Sequence, residues 1–304
     1  MTIGQFKRSV LFLRLISSRD RERMVHIVTD STADLGPELA QRYGIQIVPL
    51  SVHIGGQVHR DGVDIGPEQV YVLVEELGEL PQTAAPSVVE YARAFDRPED
   101  CLYIGISSRL SSSVQNARLA AADFAPGHVR VVDSLNLSTG VGLLALAAAE
   151  LRNRGCAAGE IERKVLALAP RVRTAFVIDT LRYLYLGGRC TALQSIVGSL
   201  IKLHPIIQVQ PDGTLGVGAK VRGDRRRGVA ALLADFEAHL GEVDLHRVFV
   251  THSGCIADAE YLATELRRLS PAPEEVLITQ AGCVISSHCG PNTVGILYIR
   301  KSAA

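Results

Sequence analysis

The groups with the most chemical capacity in this sequence sit in a few short polar stretches. Near the C-terminus, "VISSHCGPNTVGILYIRK" sets Ser286, Ser287, His288 and Cys289 against a Gly290-Pro291 break. A nucleophilic Cys–His pair, a metal site or a hydrogen-bonding anchor for a ligand would each use such residues. The flanking residues are strand-like, and neighbours on a strand point to opposite faces, so His288 is poorly placed as a base for Cys289. No G-x-S-x-G elbow and no H-E-x-x-H helix occurs, which removes two common hydrolytic arrangements. The six cysteines are scattered without a C-x-x-C, whereas zinc ligands normally arrive in close pairs; no metal is expected. A hydrolase or phosphotransferase using Ser111 and His288 stays open, although no carboxylate is evident to orient the histidine.

Five further stretches carry candidate groups. In "GISSRLSSSVQNA", Ser107, Ser108, Ser111, Ser112 and Ser113 leave a strand and enter a helix. One serine suffices to cap a helix, so the surplus hydroxyls, with the free amides of the helix start, suit an anion. Thr83 in "LPQTAAPSVVEY" precedes Pro86, near the first turn of a helix. Asp30, Ser31 and Thr32 could hold Mg²⁺ but are better read as caps for "DLGPELA". Gly187-Gly188 precede Arg189, and since an ordinary C-cap needs one glycine, the second suggests that the direction of the arginine matters. Arg222 ends a hairpin strand, while Arg225, Arg226 and Arg227 read as a solvated helix start.

These groups must be held by an α/β scaffold. "VHIVTD", "IQIVPLSV", "CLYIGIS" and "VRVVDS" are short β-branched runs typical of strands covered on both faces. Helical stretches alternate with them, so crossovers and a mainly parallel sheet follow. The polar stretches "TDSTAD", "GISSRLSSS" and "VDSLNLSTG" fall at the carboxyl ends of strands, where ligands gather in parallel sheets. The second half changes character. "PIIQVQPDGTLGVGAKVRG" is a hairpin around Asp212-Gly213, followed by helices and strands of a mixed sheet. The expectation is an extension over 1–24, an N-terminal α/β domain over 25–172 and a C-terminal α/β domain over 173–304.

Lys+Arg and Asp+Glu both number 32, which excludes the strongly basic body of a nucleic-acid binder. Outside the basic 1–24 extension the balance is 26 basic to 30 acidic groups. Unpaired cysteines in a chain of this length point to reduced thiols and a cytoplasmic protein, and no apolar run reaches the ~20 residues that span a bilayer. The extension lacks an A-x-A-like cleavage site, and Arg14 interrupts its apolar part, so it reads as a disordered or loosely docked segment and not as a signal peptide.

From about Val25 to Lys301 the chain resembles the DegV family of fatty-acid-binding proteins, known best as binding subunits of bacterial fatty acid kinase. The resemblance rests on "VTDSTADL", "PLSVHIGGQVHRDGVDI", "TAAPS", "ISSRLSSSVQNA", "DTLRYLYLGGR", "KLHPIIQVQPDGTLGVGAKVRG" and "SHCGPNTVGILY", in family order. It implies two α/β domains with a long-chain fatty acid in a tunnel between them. It also implies a non-catalytic role without a cofactor, and transient membrane contact for ligand exchange. A separate ATP-dependent fatty acid kinase would make the acyl-phosphate for phospholipid synthesis. The implied carboxylate ligands are Thr83, Ser111 and His288, with Ser112 and Cys289 as secondary contacts; Arg189 and Arg222 would serve kinase docking or phosphate transfer. An ordinary histidine titrates near ~6.5, so His288 would offer charge on demand. The chain departs from the family pattern at "TAAPS", "LSSS" and "HCGPN", which alters the head of the pocket and keeps another amphipathic carboxylic acid open as the ligand.

Overall fold

The computed structural model describes residues 25–189 and 203–302; the expected extension over 1–24 lies outside them. The first strand, β1 (His26–Asp30), ends in a short 3-10 turn that Asp30 caps, its carboxylate accepting from the Thr32 amide at 3.1 Å and from the Tyr103 hydroxyl at 2.6 Å. Asp30 thus caps this turn and not the expected helix of "DLGPELA", whose N-cap Leu35 makes no side-chain capping bond. Helix α1 (Gly36–Tyr43) follows and returns to β2 (Ile45–Val48). "IQIVPLSV", expected as one strand, is two. Pro49 lacks the N–H a ladder needs, and the chain leaves the first sheet there to form β3 (Ser51–Ile54) in another.

β3 pairs with β4 (Gln57–Arg60) and, beyond α2 (Pro67–Leu77), with β5 (Gln82–Ala84), giving a small antiparallel sheet in which Thr83 lies opposite Val52. Helix α3 (Val88–Phe95) opens on a Ser87–Glu90 capping box, the reciprocal arrangement that satisfies two free donors. β6 (Cys101–Gly105), α4 (Ser113–Ala121) and β7 (Val129–Asp133) complete a parallel sheet of order β2-β1-β6-β7. Helices α5 (Thr139–Asn153) and α6 (Ala158–Leu168) cover its other face.

The second sheet begins with β8 (Val172–Val177), beside the boundary expected between 172 and 173. Next come the short α7 (Arg182–Leu186), the hairpin β9 (Leu203–Val209) and β10 (Leu215–Arg222), and α8 (Arg225–Ala238). β11 (Val243–Ser253), α9 (Ile256–Arg268), β12 (Glu275–Gln280), α10 (Cys283–Cys289) and β13 (Thr293–Arg300) finish the fold. The sheet order is β10-β9-β8-β13-β11-β12, antiparallel except for the parallel β11–β12 pair. The expected mixed sheet and the Asp212-Gly213 hairpin are both present.

Alternation along the strands of the second sheet decides what lies between the two sheets. On β11, Val248 and Val250 face α8 and α9, while Phe249 packs in the core shared with α5. Helix α5 lies between the sheets, with residues 139–146 all buried. A helix apolar on every side belongs in such a place. Among the described residues no helix is long and apolar enough to cross a membrane.

Candidate functional site

Between the two sheets, at the carboxyl end of the parallel one, lies a cavity of 310 Å³, within the ~300–1,000 Å³ range of small-molecule sites. Its apolar wall comes from both halves: Ile106 and Leu137 after β6 and β7, Phe176 of β8, Leu215 of β10 and Leu297 of β13. Thr83, Ser111, Ser112, Arg189, His288 and Cys289 line it too. A second, surface cleft shares Thr83, Arg189 and His288 with it, so these three stand where the cavity meets the outside.

The segment carrying His288 and Cys289 is not a strand. Residues Cys283–Cys289 form α10, ended by Gly290 at φ 79°. Two buried aspartates from the first half start this helix: Asp34 accepts from the Gly282 amide at 2.8 Å and Asp61 from the Cys283 amide at 2.7 Å. They satisfy donors that every helix N-terminus leaves free. At the other end, a Cβ on Gly290 would stand 2.7 Å from the Tyr183 ring, so glycine is required there for space as well as for backbone conformation. Neighbours on a helix diverge as well, and the Cys289 thiol, buried and pushed up to about 12 by desolvation, is not a thiolate at neutral pH.

His288 Nε2 lies 2.8 Å from the Thr83 hydroxyl. Among the described residues Nδ1 has no hydrogen-bond partner, and an unpartnered N–H is rarer in protein interiors than an unpartnered acceptor. Nε2–H donating to Thr83 is the tautomer this favours, which leaves the Thr83 proton free for the cavity. Burial, reinforced by the nearby Arg189 charge, pulls the imidazole down to about 4. The expected charge on demand is thus corrected: His288 is a neutral donor at neutral pH. Gly187 makes room for it, because a Cβ there would come within 2.6 Å of Nδ1. The double glycine before Arg189 therefore has two causes, space at Gly187 and positive φ at Gly188.

Ser111 does not pair with the histidine. Its hydroxyl lies 2.9 Å from that of Ser113 and accepts from the Ser113 amide at 3.2 Å. With no carboxylate on Nδ1 either, the nucleophile–base arrangement of a hydrolase is not assembled among the described residues. Ser112 is exposed at the start of α4 and makes no capping bond. Ser107, by contrast, holds the halves together, donating to the Gly213 carbonyl of the hairpin at 2.8 Å. Arg189 is tied to the Gly187 carbonyl at 2.5 Å and reaches the Leu110 carbonyl at 3.5 Å. Arg222 is exposed at the end of β10 and does not line this cavity. Among the described residues no three His, Cys, Asp or Glu side chains gather as a metal cage.

A family model described as "Uncharacterised protein, DegV family" matches residues 24–301. The chain belongs to the DegV family. It is 34% identical over 289 residues to a DegV domain-containing protein of Caldanaerobacter subterraneus, covering 91% of this chain and 99% of that protein. A Thermus thermophilus DegV family protein whose structure is described as showing fatty acid binding superposes with a TM-score of 0.84, at 32% identity, over 91% of this chain and 100% of the other. DegV of Bacillus subtilis, described as a fatty acid binding protein, superposes with a TM-score of 0.81 at 27% identity, over 91% and 99% of the two chains.

Several groups at this DegV-family cavity are not evident in the sequence. Asp34 sits inside the "TDSTAD" stretch, but its contact with Gly282 spans 248 positions. Asp61 and Gly187 likewise act through contacts across the fold. The apolar wall left a fainter trace: Thr293, Gly295 and Leu297 alternate along β13 and all line the cavity, a period of two that marks one face of a strand.

Proposed function

We propose that this protein is a non-catalytic carrier that holds a long-chain fatty acid in the cavity between its sheets, with no cofactor. In this reading the carboxylate is received at Thr83, Ser111 and His288, the imidazole N–H holding the Thr83 hydroxyl so that its proton faces the carboxylate, with Ser112 and Cys289 alongside. A separate ATP-dependent kinase phosphorylates the presented carboxylate, with Arg189 at the cavity exit and Arg222 on the outer hairpin serving docking or phosphate transfer. The observation that carries the reading is the neutral Thr83–His288 pair at one end of a cavity whose lining is mainly apolar.

The energetics agree. Burying about 14 methylenes at ~0.8 kcal/mol each contributes on the order of 11 kcal/mol before ordering costs. A desolvated carboxylate costs several kcal/mol unless it is paired, and hydrogen bonds to an ionised group are worth about 1.5–3 kcal/mol each. The chain thus supplies affinity, while the donors offset desolvation and set direction. Fatty acid binding by two superposable relatives supports the same ligand class here. The test is mass spectrometry of lipid extracted from freshly purified protein: stoichiometric fatty acid is expected, and an empty cavity or a different lipid class refutes the reading.

A further inference from the structure

One stretch of the cavity wall is not suited to a plain hydrocarbon. Ser138, Thr174 and Thr251 line it around the first turn of α5, all three buried. Thr174 donates to Asn136 Oδ1 at 2.6 Å. The Leu137 amide donates to the same oxygen at 3.1 Å, which fixes the orientation of that side-chain amide. The Thr174 proton is therefore committed to the protein, and among the described residues no donor reaches its oxygen. The Ser138 hydroxyl donates to Asp34 Oδ2 at 2.5 Å. Thr251 lies between two other hydroxyls, 2.6 Å from Thr139 and 3.0 Å from Thr279.

This polar stretch is distant from the head. Asp34 bridges Ser138 and the Gly282 amide, so Ser138 lies beside the start of α10. His288 lies six residues further along α10, roughly 9 Å away at ~1.5 Å per residue. A saturated chain anchored at His288 would lay methylenes against three oxygens, leaving the Thr174 lone pair dry. Thr174 and Ser138 have both given their protons to protein oxygens and offer lone pairs to the cavity, so a neutral ligand group with a hydrogen to donate serves them. An alcohol is such a group.

We propose that the preferred ligand is a fatty acid bearing a hydroxyl part-way along its chain, bound there by Thr174, Ser138 and Thr251. This rests on the fatty-acid reading above and narrows it. The experiment is a competition on delipidated full-length protein between octadecanoic acid and monohydroxy-octadecanoic acids with the hydroxyl near the carboxyl, mid-chain or at the terminus. The mid-chain isomer is expected to bind roughly 2- to 10-fold tighter than octadecanoic acid, the worth of one neutral hydrogen bond, and the other two isomers to bind no tighter. In Thr174→Val, which keeps the shape and leaves Asn136 Oδ1 its bond from Leu137, the affinity ratio falls to about 1 on the same hydrogen-bond accounting. Thr251→Val serves as a second variant should the first not fold. If every isomer binds equally or more weakly while octadecanoic acid binds, the inference fails and the carrier reading stands. A preference that survives both substitutions overturns the assignment to these residues. If no acid binds at all, the carrier reading fails and this inference with it.

Discussion

At the residue scale the chemistry of the site reduces to a neutral imidazole donating into a threonine, with a serine hydroxyl on the same wall. Thr83→Val should weaken fatty-acid binding by roughly 10- to 100-fold, from the ~1.5–3 kcal/mol of a hydrogen bond to a charged group, and His288→Ala by a smaller factor, because its N–H is spent on orienting the Thr83 hydroxyl, with far-UV spectra unchanged in both; equilibrium binding to delipidated protein checks this. Stability carries a second signature. The folded histidine is held down at about 4 by burial and Arg189, while an unfolded one titrates near ~6.5. Between those values the unfolded chain binds the extra proton, so the His288 contribution is full above pH ~6.5 and is lost as pH falls toward ~4, about 3 kcal/mol in all. Asp34, raised well above the carboxylate range by desolvation, works in the opposite sense across acid pH. The measurement is therefore the difference between wild type and His288→Gln in chemical denaturation at several pH values. A difference independent of pH would show that the imidazole is not buried neutral.

At the element scale α10 is the part that aims the site. Its start is fixed by Asp34 and Asp61, its end by Gly290, and it carries His288 one residue before its last. Asp61→Ala should cost about 1 kcal/mol, the usual worth of a lost helix cap, and should speed hydrogen exchange in α10 before it does so in β1 or β6. Gly290→Ala meets both a positive φ and the Tyr183 ring, so a loss of about 1–3 kcal/mol is expected, visible as a lower thermal midpoint and as weaker ligand retention. The sequence supplied the Gly290-Pro291 break but not the helix before it. "VISSHC" contains β-branched residues and few helix formers, so local preference pointed to a strand. The aspartate caps and the packing on α2 and α7 prevailed over that preference. Pro49 is the converse case, a local signal that split one apolar run between two sheets.

At the scale of the whole molecule, α5 is the shared wall of the two sheets. Its Leu144, fully buried, belongs to a core that reaches from Ile27 and Leu102 in the first sheet to Phe249 and Leu297 in the second. Leu144→Ala should cost about 2–5 kcal/mol, and hydrogen-exchange protection in β6 and β11 should fall together, since one core serves both. Two sequential losses would instead indicate halves that unfold independently. The Ser107–Gly213 bond and the Arg247–Glu150 ion pair tie the same halves at separate points. Arg189→Ala, at the cavity exit, should spare fatty-acid binding and slow phosphorylation by a partner kinase; equal turnover would remove it from that role.

Local patterns in the sequence determined which runs become strands of a parallel sheet, where the hairpin turns, and which stretches are rich in hydroxyls. Those features depend on neighbours a few positions away: alternation of apolar residues, turn-forming glycines and polar residues at strand ends. Only the tertiary structure decided that His288 rides on a helix, that burial and Arg189 keep it neutral, and that Asp34 and Asp61 hold that helix from the other half of the chain. Electrostatic environment and helix capping across more than 200 positions depend on what folding brings together, and no local pattern contains them.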